Sequence, residues 1–208
     1  MERLKRALVV IDVQNEHVAG ALPIGFPETS GSLPQIGRAM DTAHLSDVPI
    51  AVIQHSAPPE FALFARGSRA WRLHPVVTSR PYDKLIEKAY PSTFTGTDFD
   101  WWLADNDVDT LTLAGFMTNI CLDATAREAA QRGLAVEILS DASGTLAMSN
   151  RAGWASAERL HESTLISLHA RFSAVATTAE WIAAVRSGEP LPQPDLIAST
   201  ELGRGVAF

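Results

Sequence analysis

The sequence predicts an α/β protein, namely a three-layer α/β/α sandwich around a parallel sheet. Short runs of Val, Ile and Leu recur without polar alternation, as in parallel strands that are buried on both faces. Helical stretches separate these runs, and strands that alternate with helices indicate parallel βαβ units. The 208 residues suffice for one domain with a complete core.

Five apolar runs are the predicted strands, and a sixth is weaker because only Leu85 and Ile86 form its apolar centre. The strands are Ala7–Val13, Pro49–Gln54, Thr110–Ala114, Leu134–Ser140 and Ser173–Ala176, with Asp83–Lys88 as the weaker one. The predicted helices are Pro34–Leu45, Asp98–Asn106, Asn119–Arg132, Arg151–Ala170 and Ala179–Ser187. Gly133 stands where a glycine ends a helix, directly before the next strand. These elements form one predicted domain over residues 1–187.

Two segments do not follow this alternation. Ala57–Pro81 is long, rich in Pro, Gly and Arg, and carries Phe61, Phe64 and Trp71. A connection of this length often covers a functional site, although a plain surface excursion is equally compatible with the sequence. The C-terminal tail, Gly188–Phe208, carries three prolines and three glycines. The sequence leaves open whether this tail is disordered or is an oligomerisation arm on a neighbouring subunit.

Composition excludes several classes of partner. The net charge is −7, whereas surfaces for nucleic acid or anionic membranes need clustered Lys and Arg. The apolar run Ala7–Ile11 is shorter than the seven or so residues of a signal peptide core, and no stretch approaches a membrane span. A single cysteine cannot form an internal disulfide. We therefore expect a soluble, cytoplasmic protein whose partner is a small molecule.

Three reactive side chains follow predicted strands. Asp12 ends the first strand, Lys88 follows the Asp83–Glu87 run, and Cys121 lies just beyond the Thr110–Ala114 strand. In open α/β sheets, ligands bind outside the carboxyl ends of the strands. All three side chains are therefore predicted at one edge of the sheet.

The residue types suit acyl transfer. Thr118 is interpreted as the N-cap of a helix, so Cys121 would be at its third position, where the helix dipole favours a thiolate. Asp12 could act as general base, and the cation of Lys88 could hold both anions in their charged forms. The alternatives are a small buried cysteine, a capping aspartate and a solvated lysine like Lys84.

The turn from strand to helix supplies a third component. Backbone N–H groups of Gly115-Phe116-Met117-Thr118 can form an oxyanion hole for a tetrahedral intermediate. Nucleophile, base and oxyanion donors together indicate hydrolysis of an acyl compound.

Three ordered motifs carry a resemblance to a known family. They are Val-Ile-Asp-Val-Gln-Asn, then Glu-Lys-Ala-Tyr-Pro-Ser-Thr-Phe-Thr-Gly-Thr, then Gly-Phe-Met-Thr-Asn-Ile-Cys-Leu-Asp-Ala-Thr-Ala-Arg, with a later Ser-Asp-Ala. From about Ala7 to Trp181 the chain resembles the isochorismatase-like cysteine hydrolases. The resemblance implies a catalytic triad of Asp12, Lys88 and Cys121, a six-stranded parallel sheet, and a homo-oligomer, a dimer or larger.

The resemblance also implies the geometry of the oxyanion hole. A cis peptide bond is expected at Phe116–Met117, and it would aim the N–H groups of Met117 and Cys121 at the substrate oxygen. No cofactor is implied.

The spacing of the histidines indicates whether the chain has a metal site. Nicotinamidases of this family place a metal-binding Asp two residues before a His after the second strand, whereas here Ile53 stands two residues before His55. His74 does not match the second metal histidine. The other histidines lack ligand spacing, and His161 and His169 are interpreted as surface residues. The sequence therefore predicts no metal and an activity other than that of a nicotinamidase. The histidines without ligand spacing are His17, His44, His161 and His169.

The sequence is compatible with three functions. The leading one is metal-independent hydrolysis of an amide or ureido C–N bond through a thioester on Cys121. The second is hydrolysis of a vinyl ether, as in true isochorismatases, through Asp12. The third is a non-catalytic member of the fold that binds a small ligand. The predicted pocket residues are Gln14, His55, Trp71, Phe94 and Phe116, although His55 is equally well explained as a structural histidine and the aromatics as core.

Overall fold

Six parallel strands form the centre of the protein, in a computed structural model that describes residues 4–205. The strands of this sheet are β1 (Arg6–Ile11), β2 (Ile50–His55), β3 (Lys84–Lys88), β4 (Thr110–Phe116), β5 (Ala135–Gly144) and β8 (Ala174–Ala176). Their order is β3-β2-β1-β4-β5-β8, and all five neighbouring pairs are parallel. The predicted fold class is confirmed.

Helices cover both faces of the sheet. They are α1 (Glu16–Ala19), α2 (Thr29–Leu45), α3 (Pro75–Thr78), α4 (Phe99–Asp105), α5 (Asp123–Gln131), α6 (Ala157–His169), α7 (Thr178–Ser187) and α8 (Leu196–Gly205). Within residues 4–205, no helix combines the length and apolar character needed to span a membrane.

Strand β1 lies at the centre of the core. All six of its residues are buried, and the five apolar ones alternate between two apolar clusters, one on each face of the sheet. Val9 and Ile11 belong to one cluster, and Leu8 and Val10 belong to the other. Burial on both faces explains why the strand has no polar alternation in the sequence.

The predicted helix Arg151–Ala170 is wrong in its first part. Met148–Asn150 (β6) and Gly153–Ala155 (β7) form an antiparallel hairpin, and α6 begins only at Ala157. The Asn150 side chain accepts a hydrogen bond from the N–H of Ala152 at 2.8 Å, which closes the turn. The Ser156 hydroxyl then caps α6 by accepting from the Arg159 N–H at 3.2 Å.

The segment Ala57–Pro81 packs over the carboxyl edge of the sheet. Its backbone carbonyls at Ala70 and Arg72 accept from the N–H groups of Glu16 and Asn15, at 2.8 and 2.9 Å. The sequence left open whether this segment covers a site or is a plain surface excursion. The structure favours a cover.

The described part of the tail leaves the last core helix and runs into α8. Gly188 ends α7 with φ of 77°, and the Glu189 carbonyl accepts a hydrogen bond from Arg6 at 2.6 Å. Helix α8 has no buried residue. The oligomerisation arm stays a prediction, and the end of the tail, residues 206–208, lies outside the described residues.

Gly115 lets strands β1 and β4 approach each other. It has φ of 112°, and a Cβ atom built there would lie 2.0 Å from the Ile11 carbonyl oxygen. No side chain larger than hydrogen fits without moving the backbone next to Asp12.

We expect Gly115→Ala to lower the free energy of unfolding by about 3 kcal/mol or more, because the methyl group collides with backbone. Gly133→Ala is the matched control, since Gly133 has φ of 88° but no atom within 4 Å of the position that a Cβ would take. That control should cost only about 1–2 kcal/mol. Chemical denaturation measures both, and equal losses would contradict the steric explanation.

Candidate active site

Three elements bring Asp12, Lys88 and Cys121 together. Asp12 directly follows β1 in a left-handed conformation with φ of 51°, and Lys88 is the last residue of β3. Cys121 lies in a π-helical turn, Thr118–Leu122, between β4 and α5. Because the strands are parallel, their carboxyl ends meet at the edge where the sequence predicts these side chains.

Lys88 and Asp12 form a buried ion pair. Lys88 Nζ donates to Asp12 Oδ2 at 2.8 Å, and the two side chains are 0% and 1% exposed. The same ammonium group donates to the Tyr90 carbonyl at 3.2 Å and lies 3.2 Å from His55 Nδ1. Because an ammonium group can only donate, Nδ1 accepts and His55 carries its proton on Nε2.

Lys88 stays cationic in this environment. Burial lowers the pKa of Lys88, but Asp12 and Cys121 act in the opposite direction, so that the pKa lies above its ordinary value. His55, by contrast, has a lowered pKa, chiefly because of burial. The site therefore presents one fixed cation and a neutral imidazole beside the cysteine.

Cys121 is a protonated thiol in the resting site. Burial, and then the charge of Asp12, raise the pKa of Cys121 to about 12, although Lys88 works in the opposite direction. This raised pKa disfavours the predicted thiolate in the resting state. The predicted N-cap is wrong, because Met117 occupies that position and the Thr118 hydroxyl instead bonds to His161 Nδ1 at 2.9 Å.

Asp12 has a free acceptor beside this thiol. Among the described residues, its Oδ1 atom is buried without a hydrogen-bond partner. A carboxylate oxygen of Asp12, a ring nitrogen of His55 and the Cys121 Sγ atom all lie within 4.8 Å of one another. An unsatisfied buried carboxylate oxygen is costly, and it can take up a proton from the thiol.

The turn before Cys121 has the predicted backbone form. The Phe116–Met117 peptide bond is cis, at the position that the resemblance implies. Phe116 is fully buried, and Met117 is buried as well. The direction of the Met117 and Cys121 N–H groups toward a substrate oxygen stays a prediction.

Gln14 positions other residues of the site. Its Nε2 group donates to the carbonyls of His55 and Trp71, at 3.0 and 2.6 Å, and its Oε1 atom accepts from the His55 N–H at 2.9 Å. The amide is thus engaged with backbone rather than directed at a substrate. Trp71 is half-buried and donates from its indole to the Ser56 hydroxyl at 2.7 Å.

Phe94 is buried in the same apolar cluster as Cys121. Its ring packs 4.9 Å from that of Phe99, with the Arg132 guanidinium 4.5 Å from its centroid. The ring of Phe116 meets that of His17 at 5.7 Å. A contact of Phe94 or Phe116 with the substrate stays a prediction.

Sequence reasoning missed His17 as a site residue. His17 is buried, its ring contacts that of Phe64 at 5.4 Å, and burial lowers its pKa while the nearby Asp12 raises it. Its place five residues after Asp12, at the same strand end, is the signal that could have identified it. The interpretation of His161 as a surface residue is wrong, since it is only 3% exposed.

Within residues 4–205, Asp12, His55 and Cys121 are the group whose donor atoms could hold a metal ion. The Lys88 ammonium already bonds to Asp12 Oδ2 and lies at hydrogen-bond distance from His55 Nδ1, so a cation of the chain itself occupies part of this donor set. The expectation of a metal-free site stays a prediction.

A cysteine, a carboxylate and a lysine lie buried together at the carboxyl edge of a six-stranded parallel sheet, an arrangement that suits a cysteine hydrolase of the α/β class. The family model of the isochorismatase domain matches residues 6–180, and the chain belongs to this hydrolase family. The family that the sequence motifs indicate is thus confirmed.

Similar proteins agree with this assignment. A putative isochorismatase from Burkholderia xenovorans LB400 is 49% identical, with 98% of each chain covered and a TM-score of 0.96. A cysteine hydrolase from Pseudomonas syringae pv. phaseolicola 1448A is 25% identical over 90% of this chain and 95% of its own, with a TM-score of 0.82. Ureidoacrylate amidohydrolase RutB of Methylobacterium radiotolerans is 26% identical, over 86% of this chain and 78% of its own.

We expect Lys88→Met to lower the free energy of unfolding by about 3–5 kcal/mol, because it leaves the Asp12 carboxylate buried without its cation. The double variant Asp12→Asn/Lys88→Met removes both charges and should recover a large part of this loss. Urea denaturation at neutral pH measures the free energy of unfolding of both variants. Equal stability of the single and double variants would contradict a coupled pair.

His161 should make stability depend on pH. Burial lowers the pKa of His161 to about 4, from 6.5 in the unfolded chain. Between these values the unfolded state binds the extra proton, so stability falls as the pH falls, by at most about 1.4 kcal/mol per pH unit. Above pH 6.5 this contribution is fully present and constant.

The variant His161→Gln keeps a hydrogen-bond acceptor for Thr118 but does not titrate. Its free energy of unfolding, measured from neutral pH down to pH 4.5, should fall less steeply than that of the wild type. His44→Gln, at an exposed position, is the control and should keep the wild-type slope. If the free energies of unfolding of wild type and His161→Gln fall with the same slope, His161 is not a source of the pH dependence.

Proposed function

We propose that this hydrolase cleaves a C–N bond, in an amide or a ureido group of a small molecule, through a thioester on Cys121 and without a metal. The observation that carries the proposal is the buried, unpartnered Oδ1 atom of Asp12, in a cluster with the protonated thiol of Cys121 and the ammonium of Lys88.

In the acylation half, the thiol proton passes to the Asp12 carboxylate as the sulfur attacks the carbonyl carbon of the substrate. An S–C bond forms, and the carbonyl oxygen becomes an oxyanion, for which the N–H groups of Met117 and Cys121 are the proposed donors. Asp12 then gives its proton to the leaving nitrogen, the C–N bond breaks, and a neutral amine or ammonia departs.

In the deacylation half, water attacks the thioester while the Asp12 carboxylate takes a proton from it. The C–S bond breaks, the acid product leaves, and the proton returns from Asp12 to the Cys121 sulfur. Lys88 remains cationic throughout, and it pairs with the Asp12 carboxylate at the start of each half of the reaction.

The high pKa of Cys121 supports this order of events. A thiol with a pKa of about 12 is a poor nucleophile until a base removes its proton, and Asp12 is the carboxylate in reach. The relative named ureidoacrylate amidohydrolase supports C–N hydrolysis as the reaction class.

A panel of small amides and ureido compounds, assayed for ammonia release, tests the proposal. For any compound that the wild type hydrolyses, Cys121→Ala should lower kcat/KM at least about a thousandfold, because the nucleophile is lost. Intact mass after rapid quench should show the acyl group on wild-type protein and none on Cys121→Ala.

Two results would contradict the proposal. Full turnover by Cys121→Ala would exclude the thioester and would leave Asp12-dependent hydrolysis, as of a vinyl ether, as the reaction. Failure of every amide and ureido compound, together with turnover of a vinyl ether, would reject C–N cleavage directly.

A further inference from the structure

The ring of Phe64 lies between the two histidines of the site. Its centroid is 4.7 Å from that of His55 and 5.4 Å from that of His17. His55 in turn contacts Lys88, and His17 contacts Phe116, the residue before the cis bond. Through His55 the Phe64 ring is therefore linked to Lys88, and through His17 it is linked to Phe116, in the turn that precedes Cys121.

The backbone holds Phe64 in an unusual conformation. Its φ is 53°, in the left-handed region where a bulky side chain meets its own carbonyl group. The Phe64 carbonyl accepts from the Ala57 N–H at 2.9 Å, and the Phe64 N–H donates to the buried carboxylate of Glu16 at 3.4 Å. These bonds fix the base of a loop whose tip, with Phe61, is exposed.

Very little of the catalytic cluster is open to solvent. Cys121 is 9% exposed, and Asp12 and Lys88 are more deeply buried. Phe64 is half-buried and packs on His55, a ring nitrogen of which lies within 4.8 Å of the Cys121 sulfur. The Phe64 ring thus packs on the residue that lies beside this sulfur.

From this geometry we propose that Phe64 is the specificity-determining residue of the site. Its ring narrows the approach to Cys121 and restricts the substrates to compact amides and ureido compounds, without a bulky group next to the reacting carbonyl. The substrate class rests on the proposed function, whereas the control of access to Cys121 does not.

Alkylation of Cys121 tests the access directly. Because the chain has a single cysteine, the intact mass reports on this thiol alone. Iodoacetamide and N-benzyl-iodoacetamide share one reactive group and differ in bulk. The ratio of their rate constants therefore measures access, and changes in the reactivity of the thiol cancel.

Phe64→Gly is the main variant, because glycine adopts the left-handed conformation without a ring. We expect it to raise the relative rate of the benzyl reagent about tenfold or more, a size typical of steric discrimination in a pocket. Phe64→Leu, which keeps most of the bulk, should raise it less. Phe61→Ala removes an exposed ring of the same loop and should leave the ratio at the wild-type value.

The result that would overturn the proposal is an unchanged ratio in Phe64→Gly, with wild-type secondary structure verified by circular dichroism. An equal rise in Phe61→Ala would also overturn it, since loosening of the whole loop would then explain the effect. If Phe64→Gly does not fold, the ratio of the two rate constants is compared between Phe64→Leu and wild type. An unchanged ratio in Phe64→Leu would then overturn the proposal.

Turnover provides a second measurement. If the wild type hydrolyses small amides, Phe64→Gly should shift kcat/KM toward amides with larger acyl groups, and an unshifted profile would reject the role in specificity. If no amide or ureido compound is hydrolysed and a vinyl ether is, the proposed function fails, while the alkylation ratio still decides the role of Phe64.

Discussion

The rest of the site depends on the buried ion pair between Asp12 and Lys88. Two charges removed from water are stable only together, so each strand end has to deliver its residue to the same place. β1 is one of the two central strands and β3 is one of the two edge strands, and β2 lies between them. His55, at the end of β2, accordingly has its Nδ1 atom within reach of Lys88 Nζ. The pair thus links three strand ends into one unit.

This pair also determines what Cys121 can be. Burial disfavours a thiolate at Cys121, and the charge of the Asp12 carboxylate acts in the same direction. A protonated thiol next to an unpartnered carboxylate oxygen is the consequence. In the proposed reaction the nucleophile is therefore made during catalysis rather than stored. The two histidines of the site, His55 and His17, both have lowered pKa values and are neutral beside it.

Much of the fold was predictable because buried parallel strands leave continuous apolar runs. The meeting of Asp12, Lys88 and Cys121 was predictable because the ends of parallel strands converge at one edge of the sheet. The hairpin of β6 and β7 was missed, since its three-residue strands leave no periodicity. The π-helical turn was interpreted as an ordinary N-cap, because Thr118 looks like a cap and bonds to distant His161 instead. Phe64 acquires its role only through the path of the cover and a left-handed backbone, which no local pattern specifies.

The ionisation state of Cys121 tests the central claim most directly. The ultraviolet absorbance of the thiolate, taken as the difference between wild type and Cys121→Ser, reports on this single cysteine. With the pKa of Cys121 raised to about 12, the difference should show no thiolate at neutral pH. In Asp12→Asn, which removes the repelling charge, thiolate should appear at lower pH than in the wild type. A wild-type thiolate at neutral pH would contradict the assignment of Asp12 as its base.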